Sequence, residues 1–150
     1  MSKSDTFENA LLLLIFNNTA IANVGDAGGL RSSVTAGSLY WTLHTADPGE
    51  AGSAITNETS YTGYVRQACA RASGAGGFTV TGNSVSPFAN IVFPISTAGT
   101  PTITHFGIVN TGPAGGTAGI LLYSGTVTPN IVVSTSVVQT LTTGSTITED

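Results

Sequence analysis

Charge is scarce in this chain. Only 8% of its 150 residues are Asp, Glu, Lys or Arg, against roughly 25% in an ordinary soluble domain. The cations are Lys3, Arg31, Arg66 and Arg71, and the net charge is −4. Nucleic-acid binding draws its affinity from neutralising phosphates, and four scattered cations form no basic stripe. Direct genome binding is therefore excluded as the expected role. Cys69 is the only cysteine, so no disulfide can close within the chain. It sits in an apolar stretch, where a thiol usually serves as a small buried hydrophobe. No apolar run approaches the roughly 20 residues that span a bilayer. Heptads and fixed-period repeats are missing too, which argues against a coiled-coil shaft, a propeller or a β-solenoid.

The N-terminus superficially resembles a secretion signal, because Lys3 precedes Leu11-Leu12-Leu13-Leu14-Ile15-Phe16. Asp5 and Glu8 lie where a signal would be positive, and the apolar run is short. The expectation is a soluble protein with no cleaved leader, made and assembled in a cytoplasm.

What the chain does have is 41% apolar residues, 19 glycines and many Ser, Thr and Asn. That supports one domain with a real core and a neutral, hydroxyl-rich surface, suited to partial covering by neighbours. Ser4 to Phe16 reads as the one helix, with Asp5 as its cap and Glu8 three residues later. Phe7, Ala10, Leu11, Leu14 and Ile15 follow helical spacing. Leu12, Leu13 and Phe16 widen the apolar face beyond a surface stripe, so the helix either plugs its own sheet or meets another subunit. Asn17-Asn18 is the expected stop. Asn23 to Gly37 is a Gly- and Ser-rich connection, long for a compact domain, with room for a short strand around Leu30 to Val34.

After Gly37 the pattern becomes β. Leu39 to Thr45 alternates, with Leu39, Trp41 and Leu43 on one face. Asp47-Pro48-Gly49 is a turn. Further strands are expected at Tyr64–Ala70, Phe78–Thr81, Ser84–Ser86, Asn90–Phe93, Thr102–Asn110, Ile120–Val127, Val132–Leu141 and Ser145–Thr148. Gly82-Asn83 suits a two-residue hairpin. The expected fold is all-β, a jelly roll or antiparallel β-sandwich with one N-terminal helix. Residues 1–37 form a helix and arm, and residues 38–150 form the sandwich.

Chemistry is sparsely signalled. His44 and His105 lack the spacing that preorganises a metal site, and Asp47, Glu50 and Glu58 lack the regular spacing of a calcium loop. They read as a strand pair of histidines and as solvated turn carboxylates. No Gly-x-Ser-x-Gly elbow occurs, and the Gly-rich stretches Gly25–Gly29 and Gly74–Gly77 lack the lysine of a phosphate cradle. No catalytic, metal or cofactor assignment follows. A structural role remains for His44, Asp47, Glu50, Arg66 and His105. Arg66 alternates outward and is placed to meet a turn carboxylate. A His105 side chain bonded to the Asp47 turn would tie two loops together.

Leu43-His44-Thr45-Ala46-Asp47-Pro48-Gly49-Glu50 resembles the signature of a family of small tailed-phage virion proteins, labelled tail fibre proteins. Gly63-Tyr64-Val65-Arg66-Gln67, Val92-Phe93-Pro94, Thr104-His105-Phe106-Gly107-Ile108, Leu121-Leu122-Tyr123-Ser124-Gly125 and Phe7-Glu8-Asn9 match in order. The chain departs from that pattern in a longer connection from Ala20 to Gly37 and in Thr-rich C-terminal strands. The resemblance implies a non-enzymatic virion component. A compact sandwich of this size is also similar to the cement proteins of phage heads. The leading expectation is therefore a capsid decoration protein that bridges the major capsid protein or copies of itself, as a dimer or trimer. The rival is a tail fibre or tip protein binding a host glycan or receptor, for which Tyr40, Tyr61 and Tyr64 are the candidate aromatics. Neither nucleic acid nor membrane is an expected partner. Phe7, Leu11, Leu12, Leu13, Phe16, Leu30 and Arg31 are the candidate partner contacts.

Overall fold

A computed structural model describes residues 2–149. Its elements are helix α1 (Asp5–Asn17) and strands β1 (Ser38–His44), β2 (Gln67–Ala70), β3 (Phe78–Thr81), β4 (Ser84–Pro87), β5 (Ile91–Val92), β6 (Thr102–Val109), β7 (Leu121–Val132), β8 (Thr140–Leu141) and β9 (Ile147–Thr148). The strand ladders β1–β6, β3–β4, β4–β9, β5–β8 and β6–β7 are antiparallel. The chain belongs to the all-β sandwich class with a single N-terminal helix. It divides into two compact units, Met1–Ser38 with Cys69–Ala89 and Thr143–Asp150, and Leu39–Ala68 with Asn90–Thr142. The N-terminal 38 residues thus share a unit with the β3–β4 hairpin and β9.

In the first unit the cap of α1 lies one residue earlier than expected. Ser4 is extended, and its Oγ accepts from the Phe7 N–H at 3.4 Å. Asp5 is instead the first helical residue, where its charge suits the helix dipole. Glu8 does not reach back to a cap, because it lies with Leu12 and Phe16 on the buried row. Those three are four residues apart and so share one helix face. Leu12 and Phe16 are fully buried, each contributing roughly 1.5–3 kcal/mol. The Phe16 ring meets Phe78 edge-on at 4.9 Å. The helix therefore plugs its own sheet.

Asn18 ends α1 in the left-handed conformation at φ 54°, as the Asn pair implied. Two of the last carbonyls of the helix are capped from a distance. Arg71 Nε donates to Ile15 O at 2.6 Å, and its Nη2 donates to Leu14 O at 2.7 Å. β3 and β4 pair in register from Phe78↔Pro87 to Thr81↔Ser84. Between them Gly82 takes φ 58°, while Asn83 keeps a negative φ, the pattern of a II′ hairpin turn. β9 extends this sheet to the order β3-β4-β9.

The connection after α1 contains no strand at Leu30 to Val34. It is nonetheless anchored. Asn18 Nδ2 donates to Ser33 O, and the Ser33 N–H donates to Asn18 Oδ1, both at 2.8 Å. Ile21 and Leu30 exchange backbone bonds of 2.9 and 2.8 Å. At the tip Asp26 Oδ1 accepts from the N–H groups of Gly28 and Gly29.

The second unit is built on a sheet of order β2-β1-β6-β7. β1 and β6 run from Tyr40↔Val109 to His44↔His105, with the Trp41 and Phe106 rings 5.4 Å apart. Alternation was expected along β1, but every residue from Trp41 to His44 is buried. The second face of β1 is covered at Thr42 and His44. Opposite them a Cβ on Gly107 would stand 2.6 Å from Thr42 Oγ1 and 2.8 Å from His44 Nε2. Only glycine lets these side chains lie against the strand. Two expected strands are shorter. Residues 64–66 leave the ladder because Val65 bridges Ala114 and the Arg66 N–H donates to Pro113 O. Between Val133 and Gln139 the chain turns, with Ser136 at φ 66°. β7 runs longer than expected, and its pairing with β6 is irregular between Ile103 and His105.

Candidate functional site

A densely hydrogen-bonded polar cluster lies in the second unit. Glu58 is placed by backbone pairing on the end of β1, where Thr59 N–H donates to Leu43 O and Thr45 N–H donates to Asn57 O, each at 2.9 Å. That register sets Glu58 beside His44. Arg66 reaches the same spot. Its Nε lies 2.7 Å from Glu58 Oε1, and its Nη2 lies 2.8 Å from Oε2. Nη1 donates to Thr111 O at 2.7 Å and Thr111 Oγ1 at 3.1 Å, and Nη2 also donates to Thr117 O at 2.8 Å. All five guanidinium N–H donors are used. Glu58 is equally engaged, since Oε1 also accepts from Tyr64 Oη at 3.0 Å and Oε2 from Gly116 N–H at 2.9 Å.

Arg66 is therefore buried, where an outward position was expected, and its partner is Glu58, not Asp47 or Glu50. The bond to Glu58 holds its pKa above the ordinary arginine value, against burial. Burial first, and the adjacent Glu58 second, push the Tyr64 phenol far up. Burial raises Tyr61 to about 12.

His44 is fully buried and bonded at both ring nitrogens. Nδ1 lies 2.8 Å from Thr56 O, and Nε2 lies 2.8 Å from Thr42 Oγ1. A carbonyl can only accept, so this geometry puts the proton on Nδ1 and makes Nε2 the acceptor. Burial lowers its pKa below the usual value. His105 does not bond the Asp47 turn; its Nδ1 meets Thr104 Oγ1 at 2.9 Å. The tie between loops is made by His44 to Thr56 and by Arg66 to Glu58, Thr111 and Thr117. Among the described residues no group of three His, Cys, Asp or Glu could hold a metal ion.

Asp47 and Glu50 are exposed, as expected. Asp47 Oδ1 accepts from Gly49 N–H at 2.8 Å. The turn from Asp47 to Gly52 and the β7 residues Leu121, Leu122, Tyr123 and Ser124 enclose a groove of ≈ 400 Å³. A smaller cavity of ≈ 290 Å³ is lined by residues including Ile55, Glu58, Thr59, Tyr61 and Tyr64, where the Thr59 hydroxyl has no hydrogen-bond partner. Tyr64 is packed among its neighbours. A Cβ on Gly115 would stand 2.8 Å from the Tyr64 ring, and Phe93 stacks on Tyr64 with centroids 6.2 Å apart.

The candidate partner contacts separate into three sets. Leu12 and Phe16 belong to the chain's own core, Leu11 and Leu13 are half-buried, and Phe7, Leu30 and Arg31 are exposed. Sequence reasoning missed Glu58 as a buried partner, Asn18 as the anchor of the arm, and Arg71 as a helix cap. Each makes contacts 15 or more residues away, or depends on a loop fold, and none has a local motif.

A family model described as Gp80, podophage GP4 fiber I protein gp80, matches residues 2–148. Among curated proteins nothing matches the chain.

Proposed function

This chain belongs to the podophage GP4 fiber I protein family, and from that premise we propose that it is a tail-fibre component that works by surface complementarity and not by catalysis. The observation that carries the reading is the family match over nearly the whole chain. A phage virion structural protein is the coarser statement, and it follows from the family itself. The family description speaks for the fibre over the head, so the expectation of a cement protein on the major capsid protein gives way to its rival.

The site geometry supports a structural role. Every polar atom of the Glu58–Arg66 pair is engaged inside the chain, so this cluster holds loops in place. A fully hydrogen-bonded buried network of this kind rigidifies its surroundings. Of the tyrosines that would have served a glycan site, Tyr64 packs against Gly115 and Phe93, Tyr61 meets Tyr64 edge-on, and Tyr40 lies against Gly112. What faces outward is hydroxyl-rich and apolar, including Phe7, Leu30, Val34, Ile120 and Val132. Such a surface suits contact with neighbouring protein.

The test is immunogold labelling of purified particles together with quantitative mass spectrometry. Label on the fibres and a copy number far below that of the major capsid protein are expected. Uniform label over the head, with a copy number that is a simple fraction of the capsid protein's, would overturn the fibre reading.

A further inference from the structure

Two surfaces of this chain are complementary to each other. Lys3 pairs with Glu149 at 3.0 Å, Arg66 pairs with Glu58, and Arg71 donates to the carbonyls of Leu14, Ile15 and Ala36. Among the described residues, Arg31 is the one cation that makes no such bond, and its guanidinium lies over Gly28 on the side of Asp26 Oδ1. It stands in the exposed strip Leu30-Arg31-Ser32-Ser33-Val34. That strip has apolar ends, with Leu30 40% exposed and Val34 wholly exposed.

The groove beside β7 has the opposite character. Asp47 and Glu50 put two carboxylates on one wall, and four consecutive residues of β7 form the other. β7 ends the sheet order β2-β1-β6-β7, so its outer edge has no neighbour among the described residues. Its twelve residues include no charge, and Pro129, the residue in it that blocks edge pairing, lies outside the Leu121–Ser124 stretch that lines the groove.

We propose that the Leu30–Val34 strip of one copy docks in the Asp47–Gly52/β7 groove of a second copy. Arg31 then lies against Asp47 and Glu50, and the apolar ends of the strip cover Leu121 and Leu122. The occupant is a second copy because one chain carries both halves. The net charge of −4 opposes self-association, except where Arg31 meets the exposed acids. The strip is already held by the Asn18–Ser33 and Ile21–Leu30 bonds, so little ordering is needed on docking. The two surfaces differ, so the contact is heterologous and propagates into a ring or a filament. This deepens the fibre reading and rests on it.

Sedimentation equilibrium of the full chain over a range of concentrations tests the contact. Self-association is expected for the native chain and is expected to weaken as salt rises to about 0.5 M. Arg31→Glu or Glu50→Arg should each weaken it by roughly five- to tenfold, since reversal replaces attraction with repulsion. The double variant Arg31→Glu/Glu50→Arg should restore it, and Val34→Asp should weaken it through the apolar half. All these positions are exposed, and circular dichroism checks that each variant folds. A native chain that stays monomeric, an Arg31→Glu variant equal to it, or a double variant no better than the singles overturns the proposal. Particle labelling separates the two readings. Fibre label on a chain that stays monomeric removes this contact and keeps the fibre role, whereas label on the head removes the role itself.

Discussion

Glu58 and Arg66 lie side by side in the second unit, with Arg66 Nε 2.7 Å from Glu58 Oε1 and both side chains at most 3% exposed. A bidentate pair so deeply buried is worth little compared with an apolar pair of the same shape. Its loss from one side alone is costly, because the remaining charge is left unpaired. Arg66→Met or Glu58→Leu should lower stability by about 3–5 kcal/mol in urea unfolding. The double variant should cost much less than the sum of the two. Additive costs would mean that the two groups do not act as a unit.

His44 couples the same region to pH. Its folded pKa lies below the unfolded value because burial disfavours the charged ring. The unfolded chain therefore binds the proton more readily, and stability is lost as pH falls. The contribution is whole above the unfolded value of about 6.5 and declines as pH drops through the lower folded value. His44→Asn should flatten the pH dependence of the urea midpoint between about pH 7 and 5. Equal slopes in the two proteins would refute this assignment.

Gly107 is held by contact, not by backbone conformation. A methyl there would meet Thr42 Oγ1, His44 Nε2 and Leu121 Cδ1 at 2.6–2.8 Å. Gly107→Ala should destabilise by about 1–3 kcal/mol through overpacking, with the fold retained by far-ultraviolet circular dichroism.

Phe7 and Phe16 sit on one helix but have opposite fates, 39% and 0% exposed. Phe16→Ala should cost about 3–5 kcal/mol, while Phe7→Ser should stay within about 0.5 kcal/mol. Thermal unfolding distinguishes them. Equal costs would place Phe7 in the core as well.

Arg71 donates to Leu14 and Ile15 at the end of α1. No basic residue lies in the last turn of the helix itself. Arg71→Met removes this favourable charge at the negative end of the dipole, along with two bonds to otherwise unpaired carbonyls. A loss of about 2–3 kcal/mol is expected, and helical ellipticity should fall before the β signal does.

Local chemistry was legible where it acts over a few residues. The apolar period and the Asn stop announced α1, Gly82-Asn83 announced its hairpin, and the alternation of Leu39, Trp41 and Leu43 announced β1. The helix cap was misplaced by one residue because Ser4 and Asp5 are both good caps and only backbone geometry chooses between them. Arg66 was set outward by the simple alternation of a strand. Pairing of residues 64–66 with Ala114 and Pro113 took that segment out of the ladder and turned its side chain inward.

By itself the sequence determined the class of structure and the kind of surface. Its apolar periods specify one helix and many short strands, and its few charges leave contact to hydroxyls and apolar groups. Tertiary structure alone decided which charges are spent inside. Glu58, Asp47 and Glu50 are all turn carboxylates in the sequence. Only the first meets a guanidinium, because the pairing of Asn57–Thr59 with β1 carries it there. In the first unit, the packing of α1 on β3 buried Leu12 and Phe16 and left Arg31 exposed, and in the second the β7 edge stayed open. Burial is a property of what lies opposite in space, and residues 40 or 50 positions apart have no local pattern that records it.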